Sequence, residues 1–141
     1  MNPSIWFHSE GISYTLRNKR DVRVWITEVI RREKQTCEAI NFIFCNDAHL
    51  LGINRAYLDH DTYTDIITFD YTENGAISGD IFISVDRTRE NAKKFGTGAR
   101  DELHRVMVHG VLHLLGYKDK TDTEKRQMRN LEEKCLSLRD F

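Results

Sequence analysis

Apolar residues recur along this chain with two different periods, and the change from one to the other marks its elements. Val22, Trp25, Ile26, Val29 and Ile30 follow three-to-four spacing, with Arg23, Glu28, Arg31 and Arg32 on the opposite side. That stripe predicts an amphipathic helix, capped by a polar residue between Asn18 and Asp21. Leu50, Leu51, Ile53, Asn54, Tyr57 and Leu58 predict a second helix, begun by Asn46 or Asp47. Asp86 is placed to cap a third, which runs to Phe95 and is broken by Gly96-Thr97-Gly98. Strand composition appears between these helices. Ile5 to Leu16 mixes β-branched and aromatic residues with polar ones, and Ala39 to Cys45 is an apolar run of strand length. Ile66 to Tyr71 and Ile77 to Val85 read as two more strands, joined through Asn74-Gly75, a pair that readily takes positive φ at a hairpin turn.

A helix beginning near Ala99 becomes apolar nearly all round from Val106 to Leu115, as expected of a segment enclosed by other elements. Thr121-x-x-Glu124 is a capping box opening a last helix, with Met128, Leu131, Cys135 and Leu138 on its inner side. Together these patterns predict an α/β (α+β) fold. We expect a single layered domain over residues 1–141, with a mixed sheet of about four strands flanked by helices and the enclosed helix at its centre.

That central helix carries the chemistry. His109 and His113 are one turn apart and so share a face, which lets two imidazoles converge on one metal ion. Gly116 suits the left-handed residue that ends a helix, and Asp119 then follows from the loop as a third ligand. A lone histidine in such a helix is usually a core residue. Two at this spacing, followed by glycine and a carboxylate, instead match the metzincin frame, and three protein ligands leave a position open for catalysis. The residue after the first histidine is Gly110, where a metalloprotease has its glutamate base, so a peptidase would need a base that Gly110 does not provide. Asp122 is the rival third ligand, but it reads better as the first turn of the capped helix. Glu102 lies on the histidine face, seven residues before His109, where it can act behind the ligands. Asp80 points opposite to Ile81, either toward the metal helix or capping the start of its strand. His60, in the polar run 59–62, could reach the site but reads as a surface residue.

Composition narrows the class without naming a partner. Forty per cent hydrophobic and 30% charged residues describe a folded, water-soluble chain, and the balance of 21 basic and 22 acidic residues gives no overall attraction to nucleic acid. Placement says more: Arg87, Arg89, Lys93, Lys94, Arg100 and Arg105 crowd the segment before the histidines, as a phosphate-binding rim would. Cys37, Cys45 and Cys135 are widely spaced and odd in number, which predicts reduced packing thiols in a cytoplasmic protein. No secretory signal and no membrane-spanning run is visible.

The segment His109-Gly110-Val111-Leu112-His113-Leu114-Leu115-Gly116-Tyr117 resembles the H-G-x-L-H-L-x-G-Y-D-H signature of the YbeY-type endoribonucleases, the rRNA maturation factors. Thr64 to Phe69 resembles that family's T-D-V-L-S-F strand, and Gly79 to Ser84 its G-D-I-x-I-S strand. Glu102 stands where the family carries an acid. The likeness runs from about Ile40 to Leu136. It implies a metal-dependent endoribonuclease specific for single strands, acting on rRNA precursor at the 16S 3′ end and in ribosome biogenesis with the small ribosomal subunit. It implies one zinc ion, with manganese or another divalent ion as substitutes, and neither DNA nor membrane as a partner. Two departures stand out. Lys118-Asp119 replaces the family's Asp-His, so a carboxylate stands for the third histidine. Leu58 occupies the position of a family arginine implicated in activity, for which Arg55, a turn earlier, could substitute; Arg105 is the other candidate for holding substrate. The alternative reading is a ribosome-biogenesis binding factor whose metal is structural or vestigial.

Overall fold

The computed structural model describes residues 4–59 and 63–141. Strands β1 (Ile5–Ser9), β2 (Thr36–Cys45), β3 (Ile66–Asp70) and β4 (Ala76–Ser84) form one sheet in the order β1-β2-β4-β3. The first two pairings are parallel and the last antiparallel, which gives the expected mixed sheet of four strands. Helices α1 (Lys19–Arg32), α2 (Asp47–Leu58), α3 (Val85–Phe95), α4 (Ala99–Leu114) and α5 (Asp122–Leu136) surround it.

Strand alternation sorts the core into two layers. Phe42, Phe44, Ile81 and Ile83 face α1 and α4, where they meet Trp25, Ile26, Ile30, Met107 and Val111. Cys45, Ile67, Phe69 and Phe82 point the other way and pack with Leu50 and Ile53 of α2. α4 is the central helix: it packs on β3, β4, α1, α3 and α5. Gly110 sets how closely it approaches the sheet. A Cβ there would lie 2.9 Å from Ile81 Cγ2 and 3.0 Å from Ile66 Cδ1. The position that carries a base in metalloproteases therefore faces the sheet here.

Several boundaries differ from those the pattern predicts. The opening strand ends at Ser9 and not near Leu16, because Gly11 turns with φ +77° and the chain leaves the sheet. β2 begins at Thr36, three residues early, its register shifting between Cys37 and Ala39 where the sequence period breaks. Ser84, not Asp86, caps α3 by accepting from the Arg87 N–H; Val85 consequently starts the helix instead of ending β4. Asn18 adopts left-handed geometry with no side-chain cap at α1, whereas Asn46 caps α2 by accepting from His49 N–H. Asp80 faces away from α4: it accepts hydrogen bonds from Asn41 Nδ2 at 3.2 Å and Tyr71 Oη at 3.4 Å. The hairpin stands as predicted, with Asn74 and Gly75 at φ 52° and 76°. All three cysteines are free, and burial pushes the Cys45 thiol up to about 12. No helix among the described residues is long and apolar enough to cross a membrane.

Candidate metal centre

The end of α4 is built by a Schellman turn. Gly116 N–H donates to His113 O and Tyr117 N–H to Leu112 O, with Gly116 at φ 103°. A side chain there would be strained, so glycine lets the chain fold back over the last helical turn. The loop then carries Asp119 to the histidines. His109 Nε2 lies 3.2 Å and His113 Nε2 3.5 Å from Asp119 Oδ2, and the two Nε2 atoms are 2.9 Å apart. Among the described residues, these three form the group of side chains able to hold a metal ion. Asp122, the rival, is instead the first residue of α5 behind the Thr121–Glu124 capping box.

The far side of each ring is also occupied. His109 Nδ1 lies 2.5 Å from Glu132 Oε2, and His113 Nδ1 lies 2.9 Å from the Tyr117 carbonyl. Both partners accept, so Nδ1 carries the proton in each neutral ring and both Nε2 atoms present lone pairs. Two lone pairs and a carboxylate oxygen then converge with no donor among them. That arrangement fits a cation. Burial opposes charge on His109, but Glu132, Asp119 and Asp65 together outweigh it and raise the ring's pKa. Asp65, on the same wall, is raised by burial.

These groups line a cleft of about 850 Å³ whose walls include Tyr63, Asp65, Arg105, Lys118 and Leu58. Leu58 thus places an apolar group in the cleft. Arg55 is exposed on α2 and does not belong to the described lining, while Arg105 does, with its guanidinium engaged by Glu102 at 2.5 Å and Glu132 at 2.8 Å. Glu102 is buried and, among the described residues, is linked to His109 through Arg105 and Glu132. Of the six basic residues before the histidines, Arg105 alone lines the cleft among the described residues; Arg87 pairs with Asp47, and Arg89 and Arg100 lie over the Tyr14 and Phe141 rings. His60 lies outside the described residues. Glu132 is not marked by the apolar pattern of α5, because it is a charged residue at a buried position. Its signal was present: it lies four residues after Met128 and three before Cys135, within the buried stripe of α5.

Fold and site together define a layered α/β protein with an open cluster of two histidines and one carboxylate on its central helix. The family model described as Endoribonuclease YbeY matches residues 7–139, and the chain belongs to that family. It is 51% identical to an endoribonuclease YbeY of Cytophaga hutchinsonii, over 98% of this chain and 97% of that one. A Bacteroides thetaiotaomicron protein of the same name is 44% identical, over 96% and 99%. Among solved structures, the solution structure of TM1509 from Thermotoga maritima shares the fold, with a TM-score of 0.67 at 24% identity, covering 94% of this chain and 87% of that one.

Proposed function

We propose that this chain is a zinc-dependent endoribonuclease that cuts single-stranded RNA in rRNA maturation, with His109, His113 and Asp119 as the protein ligands. Membership in a family named for endoribonuclease activity supports the reaction and RNA as the substrate class. The convergence of three acceptor atoms in an open cleft is the observation that supports the metal. The relatives' names do not favour a binding factor with a vestigial site. The finer reading is a single domain over residues 1–141, working in the cytoplasm on small-subunit rRNA precursor.

The two rings hold their Nε2 atoms ready because Glu132 and the Tyr117 carbonyl retain the Nδ1 protons. Asp119 offers its carboxylate from the loop side, leaving the cleft side for substrate. Two imidazoles and one carboxylate suit zinc, and the carboxylate makes manganese more acceptable than a third histidine would. A divalent ion so held supplies Lewis acidity toward water or a phosphoryl oxygen. Lys118 contributes positive charge to the lining, while the Arg105 guanidinium is engaged by Glu102 and Glu132, and Leu58 and Tyr63 offer apolar surface for a base.

The test is cleavage of single-stranded RNA, duplex RNA and single-stranded DNA with purified protein, with and without chelator. We expect single-stranded RNA alone to be cut, chelator to stop it, and zinc to restore it. Cleavage persisting in a metal-free preparation, or in His109→Ala, refutes the proposal.

A further inference from the structure

We infer that Glu132 is a positioning residue for the metal centre, held at His109 by a buried buttress of Arg105 and Glu102. The inference rests on the metal reading above. Glu132 comes from α5, whereas the histidines come from α4. Its carboxylate is divided between two partners: Oε2 takes His109 Nδ1 at 2.5 Å, and Oε1 accepts from Arg105 Nη1 at 2.8 Å. Arg105 also donates to both oxygens of Glu102. The Glu132 and Glu102 side chains are only 4% and 2% exposed.

Stability is a poor explanation for this arrangement. A buried ion network generally holds a fold no better than apolar side chains of similar volume, because each charge must leave water. Glu102, Arg105 and Glu132 also sum to one negative charge, so the network is not self-neutralising. Its negative end points at His109. There it does two things that an apolar group could not. It keeps the proton on Nδ1, leaving Nε2 free to bind, and it increases that nitrogen's electron donation. Arg105, tied from both sides, prevents the Glu132 carboxylate from turning toward the cleft. His113 lacks such a carboxylate and has the Tyr117 carbonyl instead, so the two ligands are supported unequally.

The experiment compares the parent, Glu132→Gln and the triple substitution Glu102→Met, Arg105→Met, Glu132→Met. The triple change removes the buried charges together, so that no uncompensated charge is left between α4 and α5; circular dichroism checks that each variant is folded. Zinc affinity is measured by competition with a chromophoric chelator. Independently, nitrogen-15 spectra of the histidine rings in metal-free protein, taken in alkaline buffer, show which nitrogen carries the proton. We expect His109 to be Nδ1-protonated in the parent and a mixture of forms in the triple variant. Zinc affinity should fall by roughly 10–100-fold in the triple variant, with Glu132→Gln, which keeps an acceptor oxygen, between the two. A folded triple variant that binds zinc as tightly as the parent overturns the inference alone. A parent that binds no zinc overturns the metal reading and this inference with it.

Discussion

His104 and His109 lie on the same helix, five residues apart, and the fold drives them in opposite directions. His104 is 2% exposed, between the rings of Trp25 and Phe141, and accepts a hydrogen bond from Arg139 at 2.9 Å. Burial, then Arg139 and Arg100, press its pKa down to about 4. His109 is also buried against charge, yet Glu132 and Asp119 reverse the balance and raise it. Burial disfavours the charged form at both positions. The sign of the neighbouring charge decides the outcome, cationic at one end of α4 and anionic at the other. One histidine is thereby a neutral core residue, and the other is a more basic ring facing two carboxylates.

The sharpest way to break that comparison is to delete each ring. His113→Ala or His109→Ala should abolish zinc binding and RNA cleavage, while His104→Phe should leave zinc stoichiometry near one per chain by metal analysis. Equal loss at His104 would show that the two ends of α4 are not functionally distinct. Asp119 is next. Asp119→Ala should weaken zinc binding sharply in a chelator competition, Asp119→His should keep it, and Asp122→Ala should leave it unchanged. The opposite pattern for the two aspartates would move the third ligand to α5.

His104 also predicts a pH effect on stability. Its unfolded ring binds a proton near pH 6.5, but the folded ring does not until about pH 4. The unfolded state therefore holds more protons within that window, and stability falls as pH falls through it. The contribution is about 3 kcal/mol at most, from ~1.36 kcal/mol per pKa unit. Denaturant unfolding of metal-free protein across the window measures it, and His104→Phe should flatten the slope there. The smallest effect lies at Gly110, between His109 and His113. Gly110→Ala puts a Cβ against Ile81 and Ile66 and should cost about 1–3 kcal/mol by overpacking. A neutral result in thermal unfolding would mean that α4 can move off the sheet freely.

Where local chemistry decided the structure, it could be read from the chain. The α1 stripe, the Asn74-Gly75 hairpin, the Thr121–Glu124 capping box and the Gly116 turn all stand, because each depends on residues within a few positions of one another. The spacing of His109, His113 and Asp119 belongs to the same class, since one helical turn and one Schellman turn bring them together. Strand limits were less legible. Thr36 begins β2 through pairing with Ala76 of β4, a distant partner that no local pattern records, whereas the end of β1 at Ser9 had a local mark in Gly11.

The sequence by itself thus determined the order of helices and strands, the mixed α/β character and the three candidate ligands. Periodicity and capping act over short separations and leave direct marks in the chain. Tertiary structure alone decided what stands behind those ligands. Glu132 reaches His109 across 23 residues, and Arg105 joins it to Glu102 only because α5 packs on α4. It likewise set Asp80 on the far sheet face, engaged Arg105 with two carboxylates and brought Leu58 into the cleft. Charge and burial at a point depend on every element that meets there, and that sum exists only once the chain has folded.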